Sequence, residues 1–319
     1  MRFGIMIMAR GPGGRLEGLT AMAQAAENTG LDIIAINDHV VVPGAIDSTY
    51  PYTDDGVWAG QSVGECLEMV TAASFVAAAT KKIELLTSVM VVPYRPAVLA
   101  AKMLATLDVL SGGRLIVGCG AGWMQEEFEA LGLPPFAERG KVTDEYIDAF
   151  RTLWTDDAPA MAGEYVQFNN LVFEPKPAHQ PCLPIWIGGE SGPAVRRAAR
   201  TGDGWFPVSH NPAFLLNTTE RYAQASARLN QLAEKHGRDG GAIHRAYLPN
   251  RPVGSREKVD TDGSRQLFAG TPDAIRDDIA AFAAAGVETI IFSVAGRELN
   301  QIVDSITWLG EDVLAGYQA

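Results

Sequence analysis

The 319-residue sequence predicts an α/β fold, a parallel (β/α)8 barrel with loop insertions. Three observations predict it. Eight short apolar runs, at 3–8, 31–37, 83–92, 114–120, 185–189, 204–208, 243–249 and 289–294, alternate with stretches of helical periodicity. The runs are continuous, not alternating, so both faces are buried, as in a parallel sheet covered by helices. No GxGxxG turn follows the first run, where an open dinucleotide-binding sheet would carry one.

Each helical stretch has its own signals. Residues 16–28 place Leu16, Leu19, Met22, Ala23 and Ala26 on one face and stop at Gly30. A helix is expected over 70–82, another over 96–110 closed by Gly112 and Gly113, and others from about 125 and 143. Later helices are expected up to Arg200, over 212–236, over 272–285 and over 299–314. Three stretches break the repeat and are expected as insertions in one domain spanning 1–319: 41–62, 155–184 and 251–270. The second contains the hairpin-like "GEYVQFNNLVFEPKP". Long loops at a barrel mouth commonly shape a substrate site.

Composition narrows the function classes. The chain is 47% hydrophobic with a net charge of −12, which suits a large buried core and disfavours a nucleic-acid or anionic-membrane partner. Cys66, Cys119 and Cys182 are far apart, with no metal-binding or disulfide spacing. Neither a metal nor a zinc site is expected. The start "MRFGIMIM" reads as a first strand rather than a signal peptide, and a cytoplasmic location is expected.

Two stretches carry candidate chemistry. In "IWIGGESGPAVRRAARTGDGWF" a strand ends at Gly188 and Gly189 immediately before a helix with Ser191 as N-cap and Pro193 in its first turn. Such a turn offers free N–H groups at the positive end of a helix dipole and suits an anion, phosphate above all; it also serves as a plain connection. In "NDHVVVP" Asp38 and His39 stand where the second strand runs out, the end of a barrel that carries active sites. A carboxylate beside an imidazole fixes a tautomer and suits proton transfer. His210 and His244 are secondary candidates, and His179 and His236 are expected in solvent.

Four blocks, "NDHVVVP", "LLTSVMVVPYRP", "ATLDVLSGGRLIVGCGAGW" and "LPIWIGGESGPAVRRAARTGDGWFP", together resemble the bacterial luciferase-like family of barrel oxidoreductases. With "FEALGLPPFAERGKVTDEYIDAFRTLW" the sequence is most similar to the branch that uses the deazaflavin coenzyme F420. The resemblance implies an isoalloxazine-type ring in the barrel mouth and a cis peptide at Ser88–Val89 against it. It further implies ring contacts from backbone groups near Thr87 to Met90, Ser88 and Val89 among them, and from Asp38 and His39, with a glycine-rich wall at Gly120 and Gly122 and a phosphate cradle at Gly188, Gly189, Glu190 and Ser191. His39 is the implied catalytic residue. Where sugar-phosphate oxidising relatives carry a glutamate after the fourth strand, this sequence has Trp123, so that activity is not expected. Tyr50, Tyr52, Trp58, Tyr94, Trp123 and Trp205 are expected at the mouth around a flat or apolar small-molecule substrate.

The expected activity is hydride transfer between F420 and a small organic substrate. The alternatives are an FMN-dependent monooxygenase using O2 and a non-catalytic flavin-binding protein. F420 is preferred over FMN because "GGESGPA" holds no basic residue for a terminal dianion; Arg196 or Arg197 folding back would reverse that preference. A homodimer is implied by the resemblance alone.

Overall fold

The computed structural model describes residues 1–62, 64–254, 256–259, 265–294, 296–315 and 317. The strands are β1 (Arg2–Ile7), β2 (Ile33–Ile36), β3 (Glu84–Thr87), β4 (Met90–Val91), β5 (Leu115–Gly120), β6 (Met161–Ala162), β7 (Gln167–Phe168), β8 (Ile185–Gly188), β9 (Gly204–Phe206), β10 (His244–Tyr247) and β11 (Thr289–Ser293). Around the barrel they run β3-β2-β1-β11-β10-β9-β8-β5, and a β3–β5 pairing closes the ring. Every pairing in the ring is parallel. The short β4 resumes the third strand beyond a cis Ser88–Val89 peptide bond and pairs with the last residues of β5. The fold is thus a closed (β/α)8 barrel, and all eight expected runs supply its strands.

Continuous apolar strands serve two cores at once. Ile33 and Ala35 point into the barrel with Leu86, Ile116, Trp186 and Ile291. Ile34 and Ile36, on the opposite face, pack under the helices. The enclosing helices are α1 (Leu16–Asn28), α2 (Met69–Ala79), α3 (Ala97–Ser111), α4 (Gln125–Ala130), α5 (Arg139–Thr155), α6 (Gly192–Thr201), α7 (Thr219–Lys235), α8 (Pro272–Ala284) and α9 (Leu299–Trp308). None is long and apolar enough to cross a membrane.

The differences from expectation are local. The seventh helix begins at Thr219, not 212, because the Thr218 hydroxyl caps it by accepting from the Arg221 N–H. The last helix changes to a π turn over Leu309–Val313. The 41–62 insertion is irregular apart from a 3-10 turn at its end. The 155–184 insertion contains the antiparallel pair β6–β7. Of the 251–270 insertion, residues 255 and 260–264 lie outside the described residues.

Candidate active site

A cavity of about 1230 Å³ opens at the C-terminal end of the barrel strands, and His39, Ser88, Val89, Gly120, Gly188 and Ser191 are on its wall. His39 follows β2 directly. Its Nδ1 lies 2.8 Å from the Glu127 carboxylate of α4. Glu127 is fully buried. Burial pushes its carboxyl up, but the His39 ring, the Tyr94 hydroxyl and the Val40 N–H together hold it below the usual carboxylate range. An ionised carboxylate only accepts, so His39 Nδ1 is the donor and Nε2 is the ring nitrogen left for another partner. Among the described residues no group is hydrogen-bonded to that Nε2. Tyr94 donates to the same carboxylate at 2.7 Å, and burial beside Glu127 raises its phenol and keeps it protonated.

Glu127 was not singled out in the sequence. Its helix spacing carries the signal: Met124, Phe128 and Leu131 share its face, and Met124 and Phe128 are buried. A carboxylate on an otherwise apolar face needs a partner, and His39 is that partner. The site therefore does contain an acidic group after the fourth barrel strand, four positions beyond Trp123.

Asp38 is on the cavity wall as well. Its carboxylate is inaccessible and bound in a fork by the Arg95 guanidinium at 2.9 Å on both oxygens. It also accepts from the Val91 N–H, so it fixes β4. Arg95, likewise missed in "VVPYRP", bridges Asp38 to Glu68, the N-cap of α2. The Thr87 side chain is buried and donates to the Gly118 carbonyl.

Val89 is held between two glycines. A Cβ on Gly120 would stand 2.5 Å from one Val89 methyl, and one on Gly188 would stand 2.7 Å from the other. Those strand ends are glycine because the bulge occupies the space side chains would take. Gly122 lies on the cavity wall with them. The Ser88 Oγ is buried with no hydrogen-bond partner.

The turn after β8 offers fewer donors than expected. Gly189 has φ +105°, its N–H reaches the Phe206 carbonyl at 3.4 Å, and its own carbonyl accepts from Trp205. Ser191 caps α6, and among the described residues no acceptor is paired with the N–H of Ser191 or Gly192. Glu190 turns its buried carboxylate to the Val208 N–H and the Asn211 amide, and burial raises its pKa. It therefore clamps the turn to the rim beyond β9. Three arginines lie beside the turn or on the cavity wall. Arg139 is on the cavity wall, donates to the Gly122 carbonyl and has no carboxylate partner among the described residues. Arg196 folds back, its Nη1 3.2 Å from where a Cβ on Gly192 would stand. Arg197 is committed to Asp144 and the Gly140 carbonyl.

Tyr50, Tyr52, Trp58 and Trp123 are on the cavity wall. Trp205 is not: it is completely buried behind the strand and stacks on Tyr222, so its place in a substrate pocket is corrected. Tyr94 lies behind Glu127 in a cluster with Phe128. His210 bonds Asp54 at 3.0 Å. His244 stands at the start of β10, the opposite end of the barrel, against Trp186 and Thr289.

The model of the luciferase-like monooxygenase family matches residues 1–253. The chain belongs to the luciferase-like monooxygenase family. It is 32% identical over 250 residues to an uncharacterised Mycobacterium tuberculosis protein, covering 78% of this chain and 83% of that one. It is 34% identical over 274 residues to the FMNH2-dependent dimethylsulfone monooxygenase of Pseudomonas putida, covering 73% and 75%. An F420-dependent secondary alcohol dehydrogenase solved with an F420–acetone adduct superposes with a TM-score of 0.75 at 18% identity, covering 98% and 97%, and shows the shared fold.

The residues of this luciferase-like chain suit a flavin or deazaflavin. The buried, unpartnered Ser88 Oγ is available to a ring edge, the glycine-lined strand ends leave bare backbone, and the α6 N-terminus with Arg139 and Arg196 suits a phosphate.

Proposed function

We propose that this chain is an oxidoreductase that transfers a hydride between F420 and a small organic alcohol or carbonyl, with His39 as the proton-transferring residue. The observation that supports the reading most is the His39–Glu127 pair: a buried ionised carboxylate on Nδ1 of a His at the cavity wall, with Nε2 unpaired among the described residues. When bound, the deazaflavin accepts or donates the hydride. Oxidation of an alcohol also releases a proton. His39 Nε2 takes it, and Glu127 stabilises the resulting imidazolium and keeps the ring from rotating. In the reverse direction His39 returns that proton to the carbonyl oxygen. The Ser191 and Gly192 N–H groups with Arg139 hold the phosphate, and Asp38–Arg95 fixes the bulge carrying Val89.

A second reading, a reduced-FMN monooxygenase, is favoured by a specific observation. The sequence preference for F420 rests on a turn that lacks a cation, yet Arg196 lies beside Gly192 and Arg139 is on the same cavity wall, and such cations suit a terminal dianion. The relative named as an FMNH2-dependent enzyme points the same way. Titration of the apo-protein with F420 and with FMN, read by cofactor fluorescence, separates the two. Tighter F420 binding together with alcohol-dependent F420 reduction is expected. Tight 1:1 FMN binding with no F420 binding overturns the leading reading in favour of the second.

A further inference from the structure

One compartment of the cavity is lined by residues that belong neither to the phosphate turn nor to the Val89 bulge. Its base is His39, and its sides come from the insertion and from the loop after β5. The Trp58 ring stands 4.5 Å from His39 and is fixed from another side by the Arg10 guanidinium, 4.9 Å from its centroid. Trp123 meets Trp58 edge-on at 5.8 Å, Tyr50 at 5.0 Å and His39 at 6.4 Å. Trp58 is buried by this packing, whereas Trp123 and Tyr50 keep part of their surface open to the cavity. Rings held at such angles present flat faces and edges of opposite local charge, which recognise another ring better than a saturated chain of equal area.

Charge narrows the class further. The polar end of the compartment is His39, backed by the ionised, buried Glu127. An anionic group brought to His39 would meet that carboxylate in a weakly screened site. A neutral hydroxyl meets no such penalty and donates to Nε2, and a carbonyl oxygen accepts from Nε2 when His39 holds the proton to be delivered.

We propose that this compartment selects a neutral, planar aromatic alcohol or carbonyl compound and that Trp123 determines this specificity. The proposal rests on the functional reading above only in placing the substrate oxygen at His39. Trp123 presents the open ring against which the substrate stacks, and Trp58 fixes the angle at which it stands.

Calorimetric titration of the full chain without cofactor tests this with three probes: 2-naphthalenemethanol, its fully saturated decahydro analogue, and 2-naphthoate. The aromatic alcohol should bind 1:1, and the saturated alcohol and the carboxylate should each bind about tenfold more weakly or worse. Trp123→Leu should erase the preference for the aromatic over the saturated alcohol. Equal binding of the two alcohols by the unmodified protein, binding of 2-naphthoate as tight as the aromatic alcohol, or a preference unchanged in Trp123→Leu overturns the proposal. The comparison of probes on the unmodified chain stands even if the variant folds poorly. No cofactor takes part, so intact probe selectivity without F420-linked turnover overturns the functional reading alone, and F420-linked turnover without probe selectivity overturns the compartment alone.

Discussion

His39 donates to a carboxylate that has no solvent to fall back on. Glu127 accepts from His39, Tyr94, Val40 and Val41, so its charge is compensated entirely by neighbours that also shape the cavity wall. Glu127→Gln keeps the volume but removes the charge that fixes the ring and stabilises its protonated form. Turnover should fall by about 10²-fold or more, with a smaller change in cofactor affinity. Turnover within a few-fold of the unmodified enzyme would remove His39–Glu127 from the mechanism. The same residue predicts an acid response. Its folded-state pKa is depressed, so its contribution to stability is present at neutral pH and is lost as pH falls through that depressed value. The unfolding free energy of the Gln variant, from urea titrations between about pH 3 and 7, should therefore fall less steeply toward acid than that of the unmodified chain.

At the scale of elements, the third barrel strand and its neighbours form one fitted unit. The cis bond between β3 and β4 directs Val89 onto Gly120 and Gly188, and Asp38 with Arg95 fixes the strand beyond it. Gly188→Ala would bring a methyl to 2.7 Å from Val89 and force the bulge toward the cavity. A loss of about 1–3 kcal/mol in denaturant unfolding and weaker cofactor binding are expected; an unchanged midpoint and affinity would show that Val89 yields freely. The barrel was legible in the sequence because burial on both faces leaves continuous apolar runs, a pattern few other folds produce. The position of His39 was legible because a strand end fixes it. The partners of Asp38 were not legible because adjacency to His39 does not say what a carboxylate binds, and the face a strand residue presents is equally hidden, since it alternates from one residue to the next. Glu127 and Arg95 were missed because their partners lie 88 and 57 residues away in the chain. Trp205 was misplaced for the same reason of alternation, since its neighbour Phe206 faces the cavity instead.

Across the whole molecule, the 41–62 insertion leaves the end of β2 and crosses the barrel mouth. On the near side the Asp47 and Ser48 N–H groups donate to Glu126, at the start of α4. On the far side Asn250 donates to the Tyr52 carbonyl at 3.2 Å, and His210 bonds Asp54 at 3.0 Å. Between these ends Tyr52 packs against the barrel's interior cluster together with Val89. The segment therefore joins both rims of the cavity through a few bonds, while the barrel beneath it rests on a large apolar core. Local opening and global unfolding should separate in energy. His210→Ala combined with Asn250→Ala removes the far-side bonds. Global stability should drop by only about 1–2 kcal/mol, because an exposed His–Asp contact and a few neutral hydrogen bonds at the rim contribute little. Amide exchange across 48–58 should accelerate by tenfold or more, with exchange in β1, β2 and β11 changing only as far as the global loss requires. Equal acceleration in the insertion and in those strands would mean that the mouth opens only when the barrel itself unfolds.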